Sequence, residues 1–160
     1  MIRLIAAIDR KQGIGKDGFQ PWSIPADEQY FTEMTQTHGG HILVGNTTYK
    51  LFHAPLANRT NFVLTRDKTP IDGAELVNNL EKFLKEYQNK DLWVIGGANV
   101  FSQVMDMGKA DELYLTKIDA DFGCNQFFPK YDEGFTLKEQ SQLHEQNGFI
   151  FSYFVYTKTQ

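Results

Sequence analysis

The sequence predicts a single α/β domain over residues 1–160, with a central, mostly parallel eight-stranded sheet, an antiparallel C-terminal edge and four flanking helices. Short apolar runs typical of buried strands alternate with helical patterns over most of the chain. Several of these runs end in glycine or hydroxyl-bearing residues directly before a helix, as strands of parallel sheets often do. The C-terminal segments instead join near Asn147-Gly148, a dipeptide typical of a hairpin between antiparallel strands.

The chain is predicted to begin with a strand, a long loop and a helix. Residues 2–8 form a nearly continuous apolar run, which is typical of a strand buried on both faces. Residues 9–24 combine three glycines with apolar side chains, which indicates an ordered but mobile lid. Pro25 can begin a helix, because its missing N–H would have no intrahelical partner there.

Local patterns define the elements after residue 40. Asn46 and the two threonines after it offer N-cap chemistry for a short helix that reaches Phe52. Strands are predicted where apolar and β-branched residues form short runs or alternate with period two, and helices where apolar residues recur on one face. In order, we expect a strand at 41–45, a helix at 46–52, strands at 61–65 and 75–77, a helix at 79–87, a strand at 92–97, a helix at 99–105, and strands at 112–119, 135–143 and 149–157.

Bulk properties exclude several classes of partner. The formal net charge is −4 and no Lys/Arg cluster is present, so nucleic acid is not expected as a partner. No signal peptide is recognised, and no apolar run approaches the roughly 20 residues that span a bilayer. The single cysteine, Cys124, cannot form an internal disulfide, which permits a reducing compartment. We therefore expect a cytoplasmic protein without a membrane partner or a metal site.

One carboxylate shares the apolar face of the first helix. Asp27, Tyr30, Phe31 and Met34 have the spacing i, i+3, i+4 and i+7. Asp27 could simply stabilise its own helix N-terminus, where acidic residues are favoured. Alternatively, a carboxylate between aromatic walls could bind a flat, cationic or amidine-like heterocycle through two parallel hydrogen bonds. The spacing alone leaves both interpretations open.

Two strand ends resemble phosphate-binding turns. Gly45 is followed by Asn46 and two threonines, and Gly96-Gly97 precedes another helix. Glycine at such a turn exposes the backbone N–H groups of the helix start to an anion. Ala6 and Ala7 in the first strand are small, which suits either the close approach of a ligand or tight packing. The residues alone therefore predict a phosphate-bearing cofactor beside a pocket with one buried acid.

Nearly the whole chain resembles the dihydrofolate reductase family in an ordered set of short motifs. These are Ile5-Ala6-Ala7, Gly13-Ile14-Gly15, Pro21-Trp22-Ser23-Ile24-Pro25-Ala26-Asp27, Gly45-Asn46-Thr47-Thr48-Tyr49, Asn58-Arg59-Thr60-Asn61, Leu64-Thr65-Arg66, Val94-Ile95-Gly96-Gly97-Ala98, Tyr114-Leu115-Thr116 and Phe127-Phe128-Pro129. Each motif is weak alone, whereas the ordered set is specific. That family reduces 7,8-dihydrofolate to 5,6,7,8-tetrahydrofolate with NADPH, in support of one-carbon metabolism.

The resemblance implies a role for the acid and its neighbours. Asp27 would hold the pterin ring, with Thr116 bonded to the same carboxylate and with a pKa raised by burial. A water near Trp22 and Gln20 would carry a proton to N5, and the hydride would pass to C6. Asp27, Trp22 and Thr116 are therefore the catalytic candidates. The substrate-binding candidates are Ile5, Ala6, Asp27, Glu28, Phe31, Phe52, Arg59, Ile95, Phe101 and Thr116.

The resemblance also implies an NADPH site at the glycine turns. Gly96 and Gly97 would take the pyrophosphate from one side, and the threonines after Asn46 from the other. Thr65 and Arg66 would take the 2′-phosphate. The cofactor-binding candidates are Ala7, Ile14, Gly15, Gln20, Gly45, Asn46, Thr47, Thr48, Leu64, Thr65, Arg66, Ile95, Gly96, Gly97, Ala98, Asn99, Val100 and Phe101.

Several positions depart from the family's pattern. Asn46 and Asn99 stand where bacterial members often place arginines, which leaves the preference between NADPH and NADH open. Glu28 replaces an apolar contact to the substrate's benzoyl group, and Gln20 replaces a Met or Leu of the lid. Asn125 replaces an aspartate that hydrogen-bonds the lid. Because Asn125 accepts without charge, we expect a less firmly closed lid.

Two other functions stay open at this stage. A pyrimidine reductase of riboflavin synthesis shares the fold and the kind of cofactor, although Asp27 and Arg59 favour folate. A non-catalytic pterin- or nucleotide-binding module would bind methotrexate without hydride transfer. The leading hypothesis is a monomeric dihydrofolate reductase that binds dihydrofolate and antifolates such as methotrexate or trimethoprim.

Overall fold

The computed structural model describes residues 1–160 and contains eleven strands and four helices. The strands are β1 (Ile2–Ile8), β2 (Gly13–Gly15), β3 (His41–Gly45), β4 (Thr60–Leu64), β5 (Glu75–Val77), β6 (Leu92–Val94), β7 (Glu112–Ile118), β8 (Gln126–Phe127), β9 (Phe135–Gln140), β10 (His144–Gln146) and β11 (Phe149–Lys158). The helices are α1 (Pro25–Thr35), α2 (Asn46–Tyr49), α3 (Leu80–Glu86) and α4 (Ala98–Asp106). None of the helices is both long and apolar enough to cross a membrane.

The central sheet confirms the predicted fold class. Its order is β5-β4-β3-β6-β1-β7-β11, and the eighth position, along the outer edge of β11, is shared by β9 and β10. All neighbours from β5 to β7 pair in parallel, whereas β11 is antiparallel to β7. The carboxyl ends of β1, β3, β6 and β7 therefore meet at one edge of the sheet, where ligands of parallel sheets bind.

Helices cover both faces of the sheet because the central strands are apolar on both faces. Leu4 and Val94 belong to the larger core, which also contains apolar side chains of α3 and α4. Ile5, Ile42 and Trp93 belong to the opposite face, where three partly buried side chains of α1 pack against them. Each fully buried side chain of this kind contributes about 1.5–3 kcal/mol. This packing fixes α1 across the sheet and so positions the residues of its first turn.

Two elements end earlier than the sequence predicts. Helix α2 ends at Tyr49 rather than at residue 52, and the chain continues in turns with i to i+3 hydrogen bonds. The strand predicted at 92–97 ends at Val94. Gly96 has a φ of +124°, which is outside the extended backbone that a strand requires. Both glycine turns nevertheless lie where the sequence placed them, directly before a helix.

Two further differences concern short strands. The strand predicted at 135–143 ends at Gln140 as β9, because the Ser141 N–H donates to the Tyr153 carbonyl and the Ser141 hydroxyl accepts from the Tyr153 N–H, each at 2.8 Å. The strand that pairs with β11 at the Asn147-Gly148 turn is β10, which begins at His144, beyond the predicted strand. Strands β2 and β8 pair in a separate two-stranded sheet that the sequence does not predict. Glycine at both ends of β2 disfavours a strand, and the two residues of β8 are too few to show a pattern.

Candidate active site

A cavity of about 490 Å³ opens where the central strands end. Its walls come from β1, the lid, α1, α2 and the segment after it, the turn between β6 and α4, and one residue of β7. A volume of this size suits a flat, drug-sized ligand.

Asp27 lies in the first turn of α1 and faces this cavity. The buried Thr116 donates its hydroxyl to Asp27 Oδ1 at 2.6 Å, a length typical of a charge-assisted hydrogen bond. Burial raises the pKa of Asp27, the Thr116 bond opposes the rise, and Glu28 adds to it. The carboxylate does not cap its own helix, since the N-cap is Ile24 and no side chain of the helix start serves as a cap. Of the two interpretations of Asp27, the structure therefore favours the ligand-facing one.

Most of the residues expected at a site line this cavity together. They are Ile5, Ala6, Ala7, Ile14, Gly15, Gln20, Asp27, Glu28, Phe31, Thr47, Thr48, Phe52, Ile95, Gly96, Gly97, Ala98, Phe101 and Thr116. Seven further residues line the cavity that were not among the candidate site residues, namely Gly18, Phe19, Tyr30, Thr32, Leu51, Leu56 and Gln126. Only Tyr30 carried a signal, because it shares the helical face of Asp27.

The remaining candidates do not line the cavity. They are Trp22, Gly45, Asn46, Arg59, Leu64, Thr65, Arg66, Asn99 and Val100. The side chains of Leu64 and Val100 pack in the main core, so only their backbone is available to a cofactor, and their assignment to the cofactor site stays a prediction. Gly45 lies against Val100, and a Cβ there would be 2.9 Å from Val100 Cγ2.

Trp22 belongs to the lid segment but does not line the cavity. Its side chain is buried among apolar residues that include Ala7, and its ring centroid lies 4.9 Å from that of Phe122. The indole N–H is buried without an acceptor in the protein. A buried donor of this kind is usually satisfied by an ordered water.

The turn after β6 is shaped for close approach of a ligand. A Cβ on Gly97 would lie 2.8 Å from Thr48 Oγ1, so only glycine leaves this gap open. Helix α4 begins directly afterwards at Ala98, and no side chain caps its N-terminus. Uncapped N–H groups at a helix start favour an anion. The chemistry of this turn therefore fits a phosphate group.

A cation and a hydroxyl lie at the end of β4. Arg66 is exposed and takes part in none of the ion pairs of the molecule. The neighbouring Asp67 accepts from the backbone N–H of Thr69 at 2.8 Å, and its own N–H donates to Thr65 Oγ1 at 3.0 Å. Asp67 is thus held within its own turn.

Asn46, the first residue of α2, keeps a buried side-chain oxygen without a hydrogen-bond partner in the protein.

Arg59 is a second cation without an acidic partner. Its Nη1 donates to Thr35 Oγ1 at 3.0 Å and its Nε donates to the carbonyl of Ala57 at 2.9 Å. Burial lowers the pKa of this guanidinium. These two bonds fix the plane of the group and leave further N–H donors available for a carboxylate.

The lid is tied to the segment that contains β8. Asn125 accepts from the backbone N–H of Asp17 at 3.1 Å and donates to Asp17 Oδ1 at 2.9 Å. Its own N–H also bonds to the carbonyl of Gly15 at 3.0 Å. Asn125 accepts as predicted, and it also has a donor role that was not predicted and that an aspartate could not provide. Whether the lid is less firmly closed than in members with an aspartate here stays a prediction. Within this chain, however, an aspartate at position 125 would lose the bond to Asp17 Oδ1 and place a second carboxylate beside it.

Comparison with known proteins gives one consistent match. The family model described as dihydrofolate reductase matches residues 1–158. The chain is 33% identical to dihydrofolate reductase of Bacillus subtilis, over 99% of this chain and 95% of that protein. It is 31% identical to dihydrofolate reductase of Haemophilus influenzae, over 97% of each. Among solved structures, the dihydrofolate reductase from Enterococcus faecalis complexed with NADP(H) and RAB-propyl has a TM-score of 0.87 at 26% identity, covering 100% of this chain and 97% of that one.

Proposed function

The chain belongs to the dihydrofolate reductase family, and on that premise we propose that it reduces 7,8-dihydrofolate to 5,6,7,8-tetrahydrofolate with NADPH. The observation that carries the proposal is the Asp27 carboxyl group, bonded to Thr116 at 2.6 Å in the wall of the cavity. The same match argues against a pyrimidine reductase. It leaves the non-catalytic binding module to experiment.

Asp27 would hold and orient the pterin ring. Oδ1 is engaged by Thr116, while Oδ2 has no hydrogen-bond partner in the protein and can accept from a ring nitrogen. A 2-amino group beside N3 presents two parallel donors, which match the two oxygens of one carboxylate. The aromatic rings of Tyr30 and Phe31 on the same helical face would hold the heterocycle flat.

The cofactor site would lie at the two glycine turns. Gly97 and Thr48 leave a gap at the uncapped start of α4, which fits the pyrophosphate of NADPH. Arg66 and Thr65 would meet the 2′-phosphate, and an exposed Arg66 without an acidic partner favours NADPH over NADH. When bound, NADPH supplies the hydride that reduces C6. The protein's contribution is to orient the two rings and exclude water.

A water would deliver the proton to N5. The buried indole N–H of Trp22 needs an acceptor, and Gln20 lines the cavity on the same lid segment. A water held there could take protons from bulk solvent as the lid moves. Asp27 would assist by orientation and by its raised pKa rather than by direct transfer.

The substrate tail would extend from the aromatic walls towards a cation. Phe31 and Phe52 line the cavity where the aminobenzoyl ring would lie. Arg59, already oriented by Thr35, would bind the α-carboxylate of the glutamate. Glu28 lines the same cavity with no hydrogen-bond or ion-pair partner of its own, so its charge would face an anionic tail.

The test is a spectrophotometric assay of NADPH oxidation with dihydrofolate as the second substrate. We expect turnover in the parent chain and a loss of at least about 100-fold at neutral pH in Asp27→Asn. A parallel thermal melt checks that the variant is folded. Methotrexate binding without turnover would identify the binding module instead, and near-normal turnover of Asp27→Asn would remove Asp27 from the mechanism.

The proposal extends to a monomer that works in the cytoplasm. The single cysteine and the moderate acidic charge are compatible with both. Size-exclusion chromatography with light scattering tests the first part, and fractionation of cells tests the second.

A further inference from the structure

The first backbone N–H groups of α1 have an unusual set of partners. Pro25 has no N–H, and the N–H groups of Asp27 and of the residue after it both donate to the carbonyl of Ile24, at 2.9 and 3.0 Å. The remaining N–H, that of Ala26, donates to Gln146 Oε1 at 2.7 Å. Since no side chain of the helix start serves as a cap, Gln146 completes the first turn from 120 residues away.

A sequence-encoded turn places Gln146 at this position. Asn147 and Gly148 have φ angles of +53° and +79°, as a two-residue hairpin turn between β10 and β11 requires. The turn pairs Gln146 with Phe149 and so fixes the register of the hairpin. The tip makes a second contact, since Asn147 Nδ2 donates to the carbonyl of Ser23 at 3.2 Å.

The same hairpin also approaches the next peptide group, which joins Ala26 to Asp27. The hydroxyl of Tyr153, in β11, lies 3.5 Å from the Ala26 carbonyl oxygen. We propose that Gln146 is a positioning residue for Asp27, because its amide oxygen holds the Pro25–Ala26 peptide group, which lies directly before the Ala26–Asp27 peptide. The side chain of Asp27 is thereby directed to Thr116 and to the cavity. The activity readout of this inference rests on the proposed function.

The test compares three variants of the full chain. Gln146→Met keeps the length of the side chain but removes the acceptor, whereas Gln146→Glu keeps an oxygen at a helix N-terminus, where a negative charge is favourable. Gln142→Met is the matched control, because Gln142 is exposed and its side chain makes no hydrogen bond. The measurements are kcat and KM for dihydrofolate, the thermal midpoint, and a carbon-13 NMR titration of the Asp27 carboxyl carbon.

We expect Gln146→Met to lower kcat/KM by roughly 3- to 10-fold, the size of one neutral hydrogen bond that positions Asp27. It should also move the titration of Asp27 to lower pH through increased access of water. The groups that face Asp27 in this titration are Glu28 and Tyr30 of its own helix, Thr116 of β7 and Tyr153 of β11. None of these groups is changed in any of the variants, so their influence on the pKa of Asp27 is the same in the parent and in the variants. Gln146→Glu should keep kcat/KM within about threefold of the parent, and Gln142→Met should change nothing.

A purely structural role for Gln146 predicts a different outcome. In that case Gln146→Met lowers the thermal midpoint, while the Asp27 titration and kcat/KM at a temperature where the chain is folded equal those of the parent. That result would overturn the inference. If the parent itself lacks reductase activity, the proposed function fails, and the NMR titration of parent against Gln146→Met still decides the positioning role.

Discussion

Replacing Thr116 by valine isolates one hydrogen bond of the site. The substitution keeps the branched shape in a position that is 2% exposed, and it removes the hydroxyl that donates to Asp27 Oδ1 at 2.6 Å. A hydrogen bond to a charged group contributes about 1.5–3 kcal/mol. If the whole of it serves to orient Asp27 for the transition state, its loss decreases kcat/KM by roughly 10- to 150-fold. Because the lost bond lowers the pKa of Asp27, the variant's Asp27 should also titrate at higher pH than the parent's.

The assay is dihydrofolate-dependent oxidation of NADPH across a pH series, with Thr157→Val as the control. Thr157 lies on β11 outside the cavity wall, and its side chain makes no hydrogen bond. The control should retain the parent's kcat/KM. If Thr116→Val retained both the parent's kcat/KM and its pH profile, the bond to Asp27 would have no part in binding or turnover.

Three further predictions follow from the electrostatics of the site and the lid. Burial raises the pKa of Asp27. At pH values between its ordinary pKa and its raised pKa, the folded chain therefore binds more protons than the unfolded chain. Stability falls as the pH rises through that window. Asp27→Asn should therefore raise the thermal midpoint at neutral pH by roughly 2–4 °C. This gain should disappear below the ordinary pKa of an aspartate. A lower midpoint of the variant at neutral pH would contradict the prediction. Asn125→Asp should loosen the lid, because it replaces the donor to Asp17 Oδ1 by a second carboxylate. Relaxation dispersion on the lid should report faster opening than in the parent. Slower opening would refute the reasoning. Arg66→Ala should raise KM for NADPH about tenfold and leave KM for NADH unchanged, and an equal effect on both cofactors would exclude a 2′-phosphate contact.

The sequence predicts an element well where a residue type has a strong conformational preference of its own, such as proline at a helix start or Asn-Gly in a hairpin turn. Pro25 begins α1, and Asn147-Gly148 forms the turn of the C-terminal hairpin. The break at Ser141 could not be predicted, because it depends on two hydrogen bonds to Tyr153 on another strand. Local propensity carries no information about such long-range pairing.

The site was predictable in its chemistry but not in its full outline. Residue type and spacing alone indicate the acid on the apolar face of α1 and the two glycine turns. Leu51 and Leu56 line the cavity only because of the path of the chain after α2, and no periodicity marks them. Gln146 is separated from Ala26 by 120 residues, and a lone glutamine near a turn gives no signal of its partner.

A crystal structure of the chain with methotrexate tests the central claim most directly. The claim is that the free oxygen of Asp27, beside the bond to Thr116, holds the amidine-like edge of a pterin ring within the cavity. We predict that both carboxylate oxygens of Asp27 lie within about 3 Å of ring or amino nitrogens of the ligand. A ring bound elsewhere, or turned so that this edge faces away from Asp27, would contradict the account.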